Sequence, residues 1–242
     1  METFDLTHRL EPGMPVYPGD PPVAREPWAT HETDGYRVAR LSLGTHAGTH
    51  LDAPAHTEPD PDAVPGPYTV DAIPVESLRW RARLVGLTTK SDREAVRPGD
   101  LPPLDGGPDG SDGGPEGRKA LDALLLWTGW ERHWGTSRYR DHPFLAPETA
   151  TVLADSGLNV ALDAFSPDPT PDTGAAGEPT ADEPAAAHHA LLGSGSLVVE
   201  NLAGVAPLAD ALAPGQAFTL AVSPLPVADG DGAPTRVVAT LE

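Results

Sequence analysis

Cysteine is absent from the 242 residues, which excludes disulfides, thiolate metal sites and cysteine nucleophiles together. Any metal must then be held by nitrogen and oxygen. Basic residues are scarce as well: 16 Lys plus Arg stand against 36 Asp plus Glu, a formal charge of −20, and such a field repels phosphate backbones and anionic lipid. Neither nucleic acid nor a membrane is an expected partner. Long apolar runs are missing, since no window approaches the roughly 18 apolar residues of a membrane span. The opening Met1-Glu2-Thr3-Phe4-Asp5 has no basic region and no apolar signal core, so a cytoplasmic location is expected. The lack of a Gly-x-Ser-x-Gly segment disfavours a serine hydrolase of the elbow type.

What is present reads as globular, with 39% apolar and 21% charged residues, and the length suits a single domain spanning 1–242. Two stretches rich in Pro, Gly, Asp and Ala, at about 101–118 and 167–187, are expected to be flexible surface loops. Short apolar runs rich in β-branched residues predict strands at 37–43, 81–87, 124–128, 158–163, 196–200, 217–222 and 236–241. Pro147-Glu148 opens a helix that Gly157 closes, and an Ala-rich stretch from about 183 to 192 ends at Gly193. Gly193-Ser194-Gly195-Ser196 follows that helix and lacks a lysine, so it terminates a helix and does not cradle phosphate. Together these elements predict an α/β fold: a curled, barrel-like mixed β-sheet with few helices.

The main chemical signal is a cluster of His46, His50, Asp52 and His56 within eleven residues. Imidazole nitrogen and carboxylate oxygen suit Zn, Mn or Fe(II), and a catalytic site needs about three such ligands if one position stays open. Gly44, Gly48 and Pro54 argue against a helix here, which leaves a strand ending near Leu43 and a tight loop that turns the side chains inward. The pattern alone also fits turn histidines beside a turn-forming Asp.

The segment His46-Ala47-Gly48-Thr49-His50-Leu51-Asp52-Ala53-Pro54-Ala55-His56 resembles the histidine signature of the cyclase family of metal-dependent hydrolases, which includes bacterial kynurenine formamidase, isatin hydrolase and polyketide-pathway cyclases. Further stretches are similar to it: Asp5-Leu6-Thr7-His8, Pro15-Val16-Tyr17-Pro18-Gly19-Asp20, Thr128-Gly129-Trp130, His142-Pro143, Leu162-Asp163 with Ser166 and Asp168, and the pair His188 and Glu200, twelve apart. The resemblance implies that His46, His50 and Asp52 bind a divalent metal, Zn2+ or Mn2+, with His188 and Glu200 completing a mono- or dinuclear site. It implies His56 as proton donor and acceptor, Tyr17 as a substrate contact where the formamidase branch has Trp, and a homodimer. The spacing to Glu200 favours His188 over His189. No role falls to His8, His31, His133 or His142, and Trp127, Trp130 and Trp134 read as core and rim aromatics.

The function expected is hydrolysis of an amide, lactam or ester bond in a small aromatic or cyclic carbonyl compound, as in arylformamidases. One alternative is ring closure by aldol or similar condensation, as in a polyketide cyclase. Another is a catalytically silent binding protein.

Overall fold

A computed structural model describes residues 1–104, 121–171 and 185–241. The parts of the two expected loops at 105–118 and 172–184 lie outside the described residues. Pro167, Asp168 and Thr170, expected at the surface, are buried instead.

Twelve strands are seen among these residues: β1 (Glu2–Asp5), β2 (Ala24–Ala29), β3 (Val38–Ser42), β4 (His50–Asp52), β5 (Arg79–Gly86), β6 (Ala95–Val96), β7 (Ala123–Trp127), β8 (Phe144–Leu145), β9 (Asn159–Leu162), β10 (Val198–Glu200), β11 (Ala217–Pro224) and β12 (Gly232–Leu241). Four α-helices accompany them: α1 (His31–Asp34), α2 (Pro147–Asp155), α3 (Ala186–Gly193) and α4 (Val205–Ala211). All seven expected strands are present, and α2 and α3 fall where the Pro and Gly signals put them.

Seven strands close into a mixed barrel in the order β12, β11, β5, β7, β9, β10, β4 and back to β12. The ten-residue β12 makes closure possible, because its first residues pair with β4 while its later ones pair with β1 on the same side. Strands β5, β7, β9 and β10 run parallel, and β11, β12 and β4 run antiparallel to their neighbours. Strands β2 and β3 form a separate hairpin outside the barrel.

Alternation explains the apolar runs. In β7, Ala123 and Leu125 join the cluster that fills the barrel, with Leu51, Trp80, Val199, Phe218 and Val237. Leu124 and Leu126 pack on the outside against Leu153 of α2 and Leu191 and Leu192 of α3. A strand covered on both faces has no polar side, which is why β7 reads as Ala-Leu-Leu-Leu-Trp.

Candidate metal centre and active site

The same alternation builds the site. Leu51 and Ala53 point into the barrel, so His50 and Asp52, on the opposite face of β4, point outward. On the neighbouring strand, Val199 points inward and Glu200 outward, directly across from His50 in the antiparallel register. The outer face of this part of the wall is covered by α3, which brings His188. The expectation of a tight loop through His50 and Asp52 is therefore corrected: they lie in a three-residue strand paired on both sides, by β10 and by β12. The glycines and proline that argued against a helix permit this as well as a loop.

Gly48 prepares that strand. It sits at φ +68°, and a Cβ there would lie 3.0 Å from both Leu10 Cδ2 and Met14 Cε, so only glycine meets both demands. The hydroxyl of the next residue, Thr49, donates to the Asn201 carbonyl at 2.6 Å, tying the approach to β4 to the end of β10.

Five candidate ligands converge. His50 Nε2 lies 3.2 Å from Asp52 Oδ1 and 3.3 Å from Glu200 Oε2. His188 Nε2 lies 3.1 Å from Glu200 Oε1 and 3.6 Å from Asp52 Oδ2, and His46 Nδ1 lies 2.7 Å from Asp52 Oδ1. The donor atoms form three compact triplets, His46, His50 and Asp52; Asp52, His188 and Glu200; and His46, His56 and Asp231. Asp52 belongs to the first two.

Each imidazole has its second nitrogen fixed by an acceptor. His50 Nδ1–H donates to the Gly48 carbonyl at 2.8 Å, His188 Nδ1–H to Asp168 Oδ2 at 2.7 Å, and His46 Nε2–H to Asp231 Oδ2 at 3.0 Å. In every case the other nitrogen is the one turned on the carboxylates, and that of His46 is hydrogen-bonded to Asp52 at 2.7 Å; this is the arrangement that orients metal-binding histidines. Asp52 Oδ2 and Glu200 Oε1 are buried without a hydrogen bond, so the 3.1 Å approach of His188 to Glu200 lacks hydrogen-bonding geometry. Buried carboxylate oxygens left unsatisfied are costly, and a cation among them would remove that cost. The residues present therefore fit a divalent metal held by nitrogen and oxygen.

Electrostatics agree. Burial alone would raise Asp52 and Glu200, yet Asp52 is held well below the carboxylate range by His50, His188 and His46, and Glu200 is lowered by His188 and His50 against the added repulsion of Asp52. Burial would lower His50 and His188, but Asp52 and Glu200 raise His50, and Asp168 followed by Asp52 and Glu200 raises His188. The carboxylate pair demands positive charge, which raised imidazoles or a bound cation can supply.

His56 sits beside this group, in a 3-10 turn at Pro54–His56. Its ring centroid is 4.0 Å from that of His46 and 5.3 Å from that of His188. Burial lowers its pKa, with the Asp52 charge opposing, which keeps it neutral near pH 7. Tyr17 meets Phe165 edge-on at 5.7 Å, and its hydroxyl is pushed up to about 12 by burial and then by the charge of Glu200. His189 points away from the cluster and reaches Glu58 at 3.1 Å. The remaining motifs are structural: Thr128 donates through its backbone N–H and hydroxyl to Asp163, both at 2.7 Å, and His142 is bonded to Thr170 and Pro143.

The Cyclase family model matches residues 4–169. This chain belongs to the cyclase family. A kynurenine formamidase of Salinibacter ruber is 30% identical over 98% of this chain and 97% of its own length. Among solved structures, isatin hydrolase A from Labrenzia aggregata bound to benzyl benzoate aligns with a TM-score of 0.77 at 23% identity, covering 98% of this chain and 93% of that one. A "potential metal-dependent hydrolase with cyclase activity" aligns at 0.67 and 24% identity, covering 98% of each chain. At such identities the two structural likenesses speak for the fold.

For this cyclase-family chain, sequence reasoning missed two contributors. Asp168 was matched to a motif without a role, though it holds His188. Asp231 carries no motif of its own, although Gly230-Asp231-Gly232, an acid between glycines just before the last strand, marks a close backbone approach.

Proposed function

We propose that this chain is a metal-dependent hydrolase that cleaves an amide, lactam or ester bond of a small aromatic or cyclic carbonyl compound, arylformamides foremost. The observation that carries the reading is the convergence of His46, His50, Asp52, His188 and Glu200, each imidazole fixed from behind and two buried carboxylate oxygens left without a hydrogen bond. We assign these five as ligands of Zn2+ or Mn2+, the ions such a donor set suits. When bound, the cation polarises a carbonyl and lowers the pKa of water from about 15.7 to about 7.

The protein's own groups supply the rest. His56, neutral and next to the ligands, takes a proton from the attacking water and returns it to the leaving nitrogen or oxygen as the carbon–heteroatom bond breaks. Tyr17, with Phe165 behind it, offers an aromatic wall for the substrate ring. The kynurenine formamidase relative is a hydrolase by name, which favours this reading over ring closure by condensation or a silent binding protein. The test is elemental analysis of the purified protein combined with a panel of formanilides, isatin and cyclic esters. Hydrolysis releases two fragments or adds one water to the mass; an unchanged or lower product mass would point to cyclisation, and a protein without metal would defeat the reading.

The proposal extends to a homodimer. Trp28, Tyr36, Val38 and Leu41 are exposed on and beside the β2–β3 hairpin, an apolar group that a second copy would cover. Light scattering should give twice the 25.2 kDa of the chain, and the double variant Trp28→Glu, Leu41→Glu should give a monomer. A fully active wild-type monomer would rule the dimer out.

A further inference from the structure

The turn into β12 places one carboxylate between two histidines to which different tasks have been given. Asp231 Oδ2 is 3.0 Å from His46 Nε2 and 3.7 Å from His56 Nδ1, and the two rings lie against each other at 4.0 Å between centroids. Its main chain is pinned: the Asp231 carbonyl accepts Ala53 N–H at 2.9 Å, and the Gly230 carbonyl accepts Val70 N–H at 2.8 Å. Ala53 follows Asp52 and precedes the turn bearing His56, so Asp231 is fastened to the segment that carries both.

The glycines on either side show how close the approach is. A Cβ on Gly232 would fall 2.7 Å from His46 Cε1 and 2.8 Å from the Leu51 carbonyl, and one on Gly230 would fall 2.8 Å from Val70 Cγ1. The backbone is pressed onto the His46 ring, while the Asp231 side chain, 41% exposed, fills no core space. Packing therefore does not account for an acid here; the two imidazoles do.

We propose that Asp231 is a positioning residue shared by the metal site and the proton-transfer histidine. By accepting His46 Nε2–H it commits Nδ1 to the metal, and by its charge it steadies His56 after that ring has taken a proton. This rests on the assignment of His46 as a ligand and of His56 as the proton carrier. The two tasks need different things from the side chain. An acceptor oxygen is enough for His46, whereas only a negative charge steadies a protonated His56.

Asp231→Asn and Asp231→Ala separate these demands. Zn2+ affinity would be measured by competition with a chromophoric chelator, Zn2+ stoichiometry by elemental analysis, and kcat and KM with the best substrate of the panel. Asp231→Ala is expected to weaken Zn2+ binding about 10-fold to 100-fold and to lower kcat. Asp231→Asn should keep Zn2+ affinity near that of the wild type, lower kcat and leave KM unchanged. Wild-type affinity and kcat in both variants would overturn the proposal, as would loss of a whole equivalent of Zn2+ in Asp231→Ala, which would make Asp231 a ligand. Asp52→Ala is the control: if it retains Zn2+, the ligand assignment itself has failed, whatever Asp231 does.

Discussion

Exchanging Asp168 for asparagine changes almost no volume, yet it should disable His188. Three donors face this buried carboxylate: Ala187 N–H at 2.8 Å on Oδ1, and His188 N–H at 3.0 Å and His188 Nδ1–H at 2.7 Å on Oδ2. Asparagine offers one acceptor oxygen and an NH2. With the oxygen toward His188, the NH2 confronts Ala187 N–H, donor against donor. With it toward Ala187, the NH2 confronts His188, which can answer only by moving its proton to Nε2, the nitrogen turned on Glu200 and Asp52. That nitrogen then has no lone pair for a metal. Either way at least one charge-assisted hydrogen bond is lost, about 1.5–3 kcal/mol of folding stability. Metal affinity should fall about 10-fold to 100-fold, or about 1.4–2.8 kcal/mol. In the first orientation a buried neutral amide replaces the charge that makes His188 a stronger ligand, and in the second the lone pair is gone. Asp231, 41% exposed, is screened from that loss of charge. Chelator competition for Zn2+ and thermal melting with and without Zn2+ read the two effects separately. Unchanged Zn2+ affinity beside a lowered melting temperature of the metal-free protein would refute the argument and reduce Asp168 to a cap on α3.

Asp52→Ala, which removes the carboxylate common to the two triplets that hold the five proposed ligands, should strip most of the metal and nearly all activity; stoichiometric metal by elemental analysis would contradict the assignment. His56→Ala should lower kcat by roughly 100-fold to 10,000-fold with metal content unchanged, and loss of metal would instead make His56 a ligand. His142 gives a pH dependence. Burial holds its pKa at about 4, and the neutral ring donates to Pro143 O while Nε2 accepts the Thr170 hydroxyl at 2.8 Å. The folded pKa lies below the unfolded value of about 6.5, so this contribution is complete above pH 6.5 and declines toward pH 4, by roughly 3 kcal/mol. Denaturant titrations across that range should show a shallower decline in His142→Asn, and parallel curves for the two proteins would contradict it.

How far the sequence carried the reading depended on range. Strand β7 and helix α2 were legible because their signals are local: an apolar run in one, Pro147 and Gly157 in the other. The cluster from His46 to His56 was legible for the same reason. Strand β4 was not, since three residues have no period of their own and become a strand only by pairing with β10 and β12, far along the chain. Asp231 escaped for a similar cause. Its meaning lies in a contact with His46 across 185 positions, and an acid in a chain with 36 of them carries no mark of that contact.

The pairing of β4 also limits how such a chain can change over generations. Along a strand the two faces alternate, so one residue gained or lost between Gly48 and His50 would rotate His50 and Asp52 into the barrel and present Leu51 to α3. Substitutions can accumulate in this wall one at a time, but a single insertion there exchanges chemistry for grease at every position at once. Only a shift by two would restore the faces, and in either direction it would take His50 from its place opposite Glu200. Length variation in lineages carrying this site should accordingly avoid the stretch from Gly48 to Ala53.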